Sequence, residues 1–135
     1  MEKRTFAADV GKMNEVQDFV AGCIKDAADD MTATQIALAV EEVFVNIASY
    51  AYQDSVGEAE VCVELKTDPS AVRITFADSG IPFDPLNAEE PDLTLSAEER
   101  PIGGLGIFLV KELMDDVDYK YEGGKNILTF EKRLG

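Results

Sequence analysis

Three short groups of residues in this 135-residue sequence have types and spacings suited to chemistry. Glu42 and Asn46 stand at i and i+4, a spacing that places two side chains one turn apart on one helical face. A carboxylate and a carboxamide so placed can share a Mg²⁺ shell and a proton-transfer task. Asp78-Ser79-Gly80 puts a carboxylate beside a glycine, which can accept a hydrogen bond from a flat base. Gly103, Gly104 and Gly106 surround Leu105, just before the apolar run Ile107-Phe108-Leu109-Val110. Glycine lets backbone approach a ligand closely. If the apolar run is a helix, free N–H groups and the helix dipole at its start favour an anion. Taken singly, each group has a plainer reading: an exposed helix glutamate, a surface or capping amide, a turn, a flexible loop before a buried helix. Together they supply what binding Mg-ATP requires.

The surrounding periodicities say how these groups are positioned. Thr5-Phe6 is the strong β signal of a short first strand from Lys3 to Ala8. Met13, Val16, Phe19, Val20, Cys23 and Ala27 fall at helical spacing, making Cys23 a core residue rather than a reactive thiol. Thr32-Ala33-Thr34-Gln35 has the form of a capping box and predicts a second helix from there to about Gln53. Its apolar face is Ile36, Val40, Val43, Phe44, Ile47 and Ala51. Gln35, Glu42, Asn46, Ser49 and Gln53 form a narrow polar stripe bordered by Leu38 and Val45, the pattern of a groove-lining edge on a largely buried helix.

Residues from Glu60 to Lys66 and from Ala71 to Asp78 alternate as strands, with Val61, Val63 and Leu65, then Val72, Ile74 and Phe76, facing the core. Period two carries Asp78 to that same inward side, as a turn-former or as a ligand-reading group. A carboxylate there is costly unless something hydrogen-bonds it, and the inward phase favours ligand reading. Pro82 to Arg100, rich in acids and proline, predicts a lid-like loop. A helix over about Leu105 to Met114 and a closing hairpin from Val117 to Leu134, turning at Glu122-Gly123-Gly124-Lys125, complete the chain. The element order predicts an α+β, two-layer sandwich: a mixed, mostly antiparallel sheet covered on one face by helices.

Composition narrows the function. The length fits a single domain spanning 1–135. A net charge of -15 argues against direct nucleic-acid binding, which needs a basic footprint. There is no histidine, which excludes Ser-His-Asp and Cys-His sites and the usual zinc sites. Two scattered cysteines make no disulfide framework. No apolar run approaches a membrane span and no signal-like segment follows Met1, so a cytoplasmic protein is expected.

The motifs resemble those of the Bergerat-type ATP-binding fold shared by gyrase, histidine kinases and anti-sigma factor serine kinases. Glu42-Val43-Phe44-Val45-Asn46 is similar to the N box, Asp78-Ser79-Gly80-Ile81-Pro82-Phe83-Asp84-Pro85 to the first glycine box, and Gly103 to Lys111 to the second. Gly123-Gly124-Lys125-Asn126 before Leu128-Thr129-Phe130 is similar to the closing hairpin. The resemblance spans nearly the whole chain and is strongest to the stand-alone anti-sigma kinases, since histidine kinases add a phosphoacceptor helical domain. It implies that Asn46 coordinates Mg²⁺, Asp78 reads the adenine amino group and Gly80 packs close to the base. It further implies that Gly103, Gly104, Leu105 and Gly106 hold the phosphates and that Glu42 is the general base. Tyr50-Ala51-Tyr52 departs from the His-Gly-Tyr that many relatives carry, and Arg100 is the candidate for the nucleotide-binding arginine found close before the second glycine box, at a different spacing.

The function implied is an ATP-dependent serine/threonine kinase that phosphorylates a STAS-type anti-anti-sigma protein, alternately sequesters a sigma factor, and forms a homodimer. A different reading has the same pocket binding ATP without catalysis, to switch a protein interface. A third makes it an ATP-hydrolysing module needing another subunit. Glu42 favours the kinase, because a pure binder needs no base there.

Overall fold

The computed structural model describes residues 1–52, 57–67, 70–82 and 104–134, with side chains throughout except at Tyr50 and residues 104–108. The strands β1 (Glu2–Ala7), β2 (Glu58–Thr67), β3 (Ser70–Asp78), β4 (Asp116–Glu122) and β5 (Lys125–Arg133) form one sheet in the order β1-β2-β3-β5-β4. All four pairings are antiparallel, so the sheet contains no parallel pair among the described residues. Helices α1 (Met13–Ile24), α2 (Asp30–Asn46) and α3 (Gly104–Leu113) complete the α+β arrangement.

Strand alternation decides which face is covered. Val61 and Val63 of β2, Val72, Ile74 and Phe76 of β3, and Leu128 and Phe130 of β5 share one buried cluster with Val16, Val20 and Ile24 of α1 and Ile36, Val40 and Phe44 of α2. The opposite face carries the ion pairs Lys66–Glu131 and Arg73–Glu64 and the Thr75–Thr129 hydroxyl pair at 3.2 Å. Leu65, expected inward, is 45% exposed although Val72 opposite it is buried; it lies two residues past Val63, where the pairing of β2 with β1 ends. The hairpin between β4 and β5 turns on Gly123 and Gly124, whose φ angles of 61° and 78° are what a type I′ turn requires.

Helix α2 departs from its sequence reading at both ends. It starts at Asp30, with Asp29 as N-cap accepting from the Thr32 N–H at 2.8 Å. The capping box at Thr32 is therefore not used, since an aspartate three residues earlier satisfies an orphan N–H equally well. That hydrogen bond also lowers the Asp29 pKa. At the other end the α-helix stops at Asn46 and continues as one π-helical turn, Ile47–Ala51. Asp30–Ser49 is long and apolar enough to pass for a membrane span, which corrects the reading that no run approaches one. Its apolar face is instead packed against the sheet and α1, as a core helix.

Candidate functional site

The site is built where the end of α2 meets the end of β3. The last carbonyls of a helix lack intrahelical partners, and the Ala51 carbonyl finds one in the Ile81 N–H at 2.9 Å. Gly80 allows this approach: a Cβ on it would lie 2.2 Å from the Ala51 oxygen. Tyr52 adds a second tie, its hydroxyl accepting from the Ser79 N–H at 2.9 Å and donating to the Glu58 carbonyl at 2.8 Å. The turn after β3 is thus fixed to the segment that follows Asn46. Ala51, placed by the sequence on the apolar face of this helix, and Tyr52 form the clamp; both lie in the stretch that departs from His-Gly-Tyr.

Asp78 is 6% exposed and faces inward, as its phase in β3 predicts. Its Oδ1 accepts from the Gly80 N–H at 2.9 Å and from the Asn126 Nδ2 at 3.0 Å. Asn126, 7% exposed, is the other buried polar residue among those described, and had no role in the sequence reading beyond membership of the closing hairpin. The signal was available: Asn126, Leu128 and Phe130 alternate on the inward face of β5, and Asn126 lies opposite Asp78 across the ladder. Its Nδ2 also donates to the Ile81 carbonyl at 2.9 Å, while Tyr119 of β4 donates its hydroxyl to Asn126 Oδ1.

Glu42 and Asn46 are both half-buried on α2, one turn apart. Desolvation raises the Glu42 pKa above the ordinary glutamate value, with the neighbouring Glu41 charge adding to the effect. A carboxylate displaced in that direction is a better proton acceptor at neutral pH. The Asn46 Nδ2 is buried without a hydrogen-bond partner among the described residues. An orphaned buried donor costs about 1–3 kcal/mol, and a phosphate oxygen would satisfy it. The same carboxamide turned toward a hard cation offers Oδ1, so Asn46 suits Mg²⁺ carried on a phosphate chain.

Gly104 opens α3 and Gly106 lies in its first turn, so their N–H groups belong to the unsatisfied set at the helix start. The end of α3 is held by Lys132 Nζ, which donates to the Leu113 carbonyl at 2.9 Å. Helices α2 and α3 pack together. Gly103, Arg100 and the lid-like stretch beyond Pro82 lie outside the described residues, as does Gln53 of the polar stripe. An apolar groove between α1 and α2, lined by Val20, Ile24, Ile36 and Val40, contains none of the site residues. Cys23 packs against the core, and burial pushes its thiol pKa up, consistent with an inert thiol.

Comparison with known proteins bears on the family and the fold. The profile of the histidine kinase-like ATPase domain matches residues 6–132. The serine-protein kinase RsbW of a Bacillus cereus strain is 33% identical over 113 residues, covering 81% of this chain and 68% of the relative. The protein of the same name from Bacillus thuringiensis subsp. konkukian matches to the same extent. Among solved structures, the RsbU and RsbW domains of Rv1364c from Mycobacterium tuberculosis superpose with a TM-score of 0.69 at 17% identity, over 99% of this chain and 33% of that one. The histidine kinase domain from the blue-light activated histidine kinase of Erythrobacter litoralis gives a TM-score of 0.58 at 19% identity, over 93% and 60%. This chain therefore spans a third of the mycobacterial chain, and the structural likeness concerns the fold. By the profile match and the identity to RsbW, the chain belongs to the histidine kinase-like ATPase domain family.

Proposed function

We propose that this chain is an ATP-dependent serine/threonine protein kinase of the anti-sigma type, and the observation that carries the reading is the pair on α2. Glu42, with its raised pKa, stands one turn from Asn46, whose buried Nδ2 lacks a partner among the described residues. ATP is the phosphoryl donor. Asp78 accepts from the adenine amino group, Gly80 packs beside the base, and the N–H groups at the start of α3 hold the phosphates with Gly103, Gly104, Leu105 and Gly106. Asn46 Oδ1 would hold Mg²⁺, which when bound neutralises phosphate charge. Glu42 takes the proton from the acceptor serine hydroxyl as that oxygen bonds to the γ-phosphorus and ADP leaves.

The acceptor in this proposal is a STAS-type anti-anti-sigma protein, and the alternate partner a sigma factor, inside the cytoplasm. These partners are what the resemblance of the motifs implies, and the relatives' name, serine-protein kinase, supports the serine acceptor. Two copies would associate as a homodimer. Among the described residues β1 is an edge strand, which offers backbone for such pairing.

The test is incubation with labelled ATP and STAS-domain proteins from the same genome. Transfer of label to a serine of one of them is expected. Tight ATP binding with nucleotide-dependent partner capture but no labelling would replace the kinase by the non-catalytic switch. Light scattering at tens of micromolar, a range of about 10–100 μM, checks the dimer.

A further inference from the structure

Asn126 and Asp78 lie 48 residues apart in sequence and meet as the two buried polar side chains among the described residues. Three acceptors surround the Asn126 Nδ2: Asp78 Oδ1 at 3.0 Å, the Ile81 carbonyl at 2.9 Å and the Gly80 carbonyl at 3.4 Å. A carboxamide oxygen in that place would face three other oxygens, so the orientation of the amide is fixed by its surroundings. The Tyr119 hydroxyl fixes it from the other side by donating to Oδ1. Asn126 can therefore only donate to Asp78.

This one-way donation has a consequence for ligand recognition. Both hydrogen bonds to the Asp78 carboxylate from described residues fall on Oδ1, from Gly80 N–H and Asn126 Nδ2. They hold the carboxylate in one rotamer and leave Oδ2 as its acceptor toward the base. A 6-aminopurine offers a donor to such an oxygen, and a 6-oxopurine offers an acceptor that it repels. A site with a fixed polar group discriminates strongly because the wrong ligand leaves a buried partner unpaired.

We infer that Asn126, oriented by Tyr119, is a positioning residue that sets the 6-amino over 6-oxo preference of the nucleotide site by locking Asp78 as an acceptor. The inference rests on the proposed reading of Asp78 as the base-reading group. Asn126 acts through Asp78, and Tyr119 acts through Asn126.

The experiment compares ATP and ITP binding, by calorimetry or displacement, in the wild type and in Asn126→Leu, Tyr119→Phe, the double variant and Asp78→Asn. The ATP-over-ITP ratio should fall roughly tenfold in Asn126→Leu and about threefold in Tyr119→Phe, as expected for loss of a fixed polar partner. The double variant should fall no further than Asn126→Leu alone, because both changes act along one line. A residue that only supports the fold would weaken both nucleotides equally, and an unchanged ratio overturns the inference. Should Asn126→Leu fail to fold, Tyr119→Phe decides alone, since Tyr119 is only half-buried. If Asp78→Asn abolishes the preference while the Asn126 and Tyr119 variants keep it, Asn126 is not the positioning residue and the reading of Asp78 stands. If Asp78→Asn keeps the preference, the reading of Asp78 fails and this inference with it.

Discussion

Gly80 and the Ala51 carbonyl meet at a distance no other residue type would permit, since a Cβ at position 80 would come within 2.2 Å of that oxygen and 2.5 Å of the Ala51 Cβ. The nearest opposing atom is a backbone oxygen, which cannot swing aside. Gly80→Ala should therefore push the turn after β3 away from α2 and displace Asp78. Overpacking of this kind costs about 1–3 kcal/mol, and nucleotide affinity should fall at least roughly tenfold with it. Thermal unfolding and calorimetry on the same sample measure both effects.

The Glu42 carboxylate separates binding from transfer. Glu42→Gln should leave ATP affinity within a few fold and reduce serine phosphorylation by roughly a hundredfold or more. Titration of this group also links to stability. Its folded pKa is raised from 4.5 by desolvation and by Glu41, so between the two values the folded state binds the extra proton. Stability attributable to Glu42 is therefore greatest in acid and falls as pH rises through that window. Glu42→Gln should unfold at a higher temperature than the wild type at neutral pH, and the gap should close as the solution is acidified. Melting curves at several pH values give the sign directly.

Asn46→Ala removes the buried Nδ2 that has no partner among the described residues. Its expected signature is loss of the Mg²⁺ dependence of ATP affinity, together with loss of transfer. Titrations with Mg²⁺ and with EDTA should differ in the wild type and converge in the variant. Equal Mg²⁺ dependence in both proteins would remove Asn46 from the metal's shell.

The Tyr52 hydroxyl joins Ser79 to the first residue of β2 through two hydrogen bonds. Tyr52→Phe keeps the ring and deletes both, so a loss of about 1–2 kcal/mol is expected. Hydrogen exchange should report it locally, with the Ser79 amide gaining exchange before the amides of Ile74 and Phe76 in the middle of β3. Uniform acceleration along the strand would instead mean that Tyr52 supports the whole sheet.

Much of this architecture was legible because its signals are periodic. The alternation of Val72, Ile74, Phe76 and Asp78 is enough to place the carboxylate inward. The spacing of Ile36, Val40, Val43 and Phe44 is enough to bury α2. Where two residues competed for one role the sequence was less decisive: Asp29 and Thr32 are both good N-caps, and in the fold Asp29 takes the role by accepting from the Thr32 N–H. The π turn left no signal of its own, because Ile47 and Ala51 suit an α-helix equally well. Asn126 went unassigned for another reason. Its role depends on Tyr119, Gly80 and Ile81, contacts set by strand pairing and not by any local spacing.

The strand order also governs how the protein emerges during synthesis. β3 sits at the centre of the sheet, yet its neighbour β5 is made long after it, with Asn126 following Asp78 by 48 residues. At roughly 5–20 residues per second, that interval is about 2–10 s. Through it, the edge of β3 bearing Ile74 and Phe76 has no strand to pair with, and hydrophobic surface stays open to other nascent chains. Chaperone contact should therefore be heaviest in the seconds between the two strands, and a ribosome stalled there should hold a chain that cannot yet close around nucleotide.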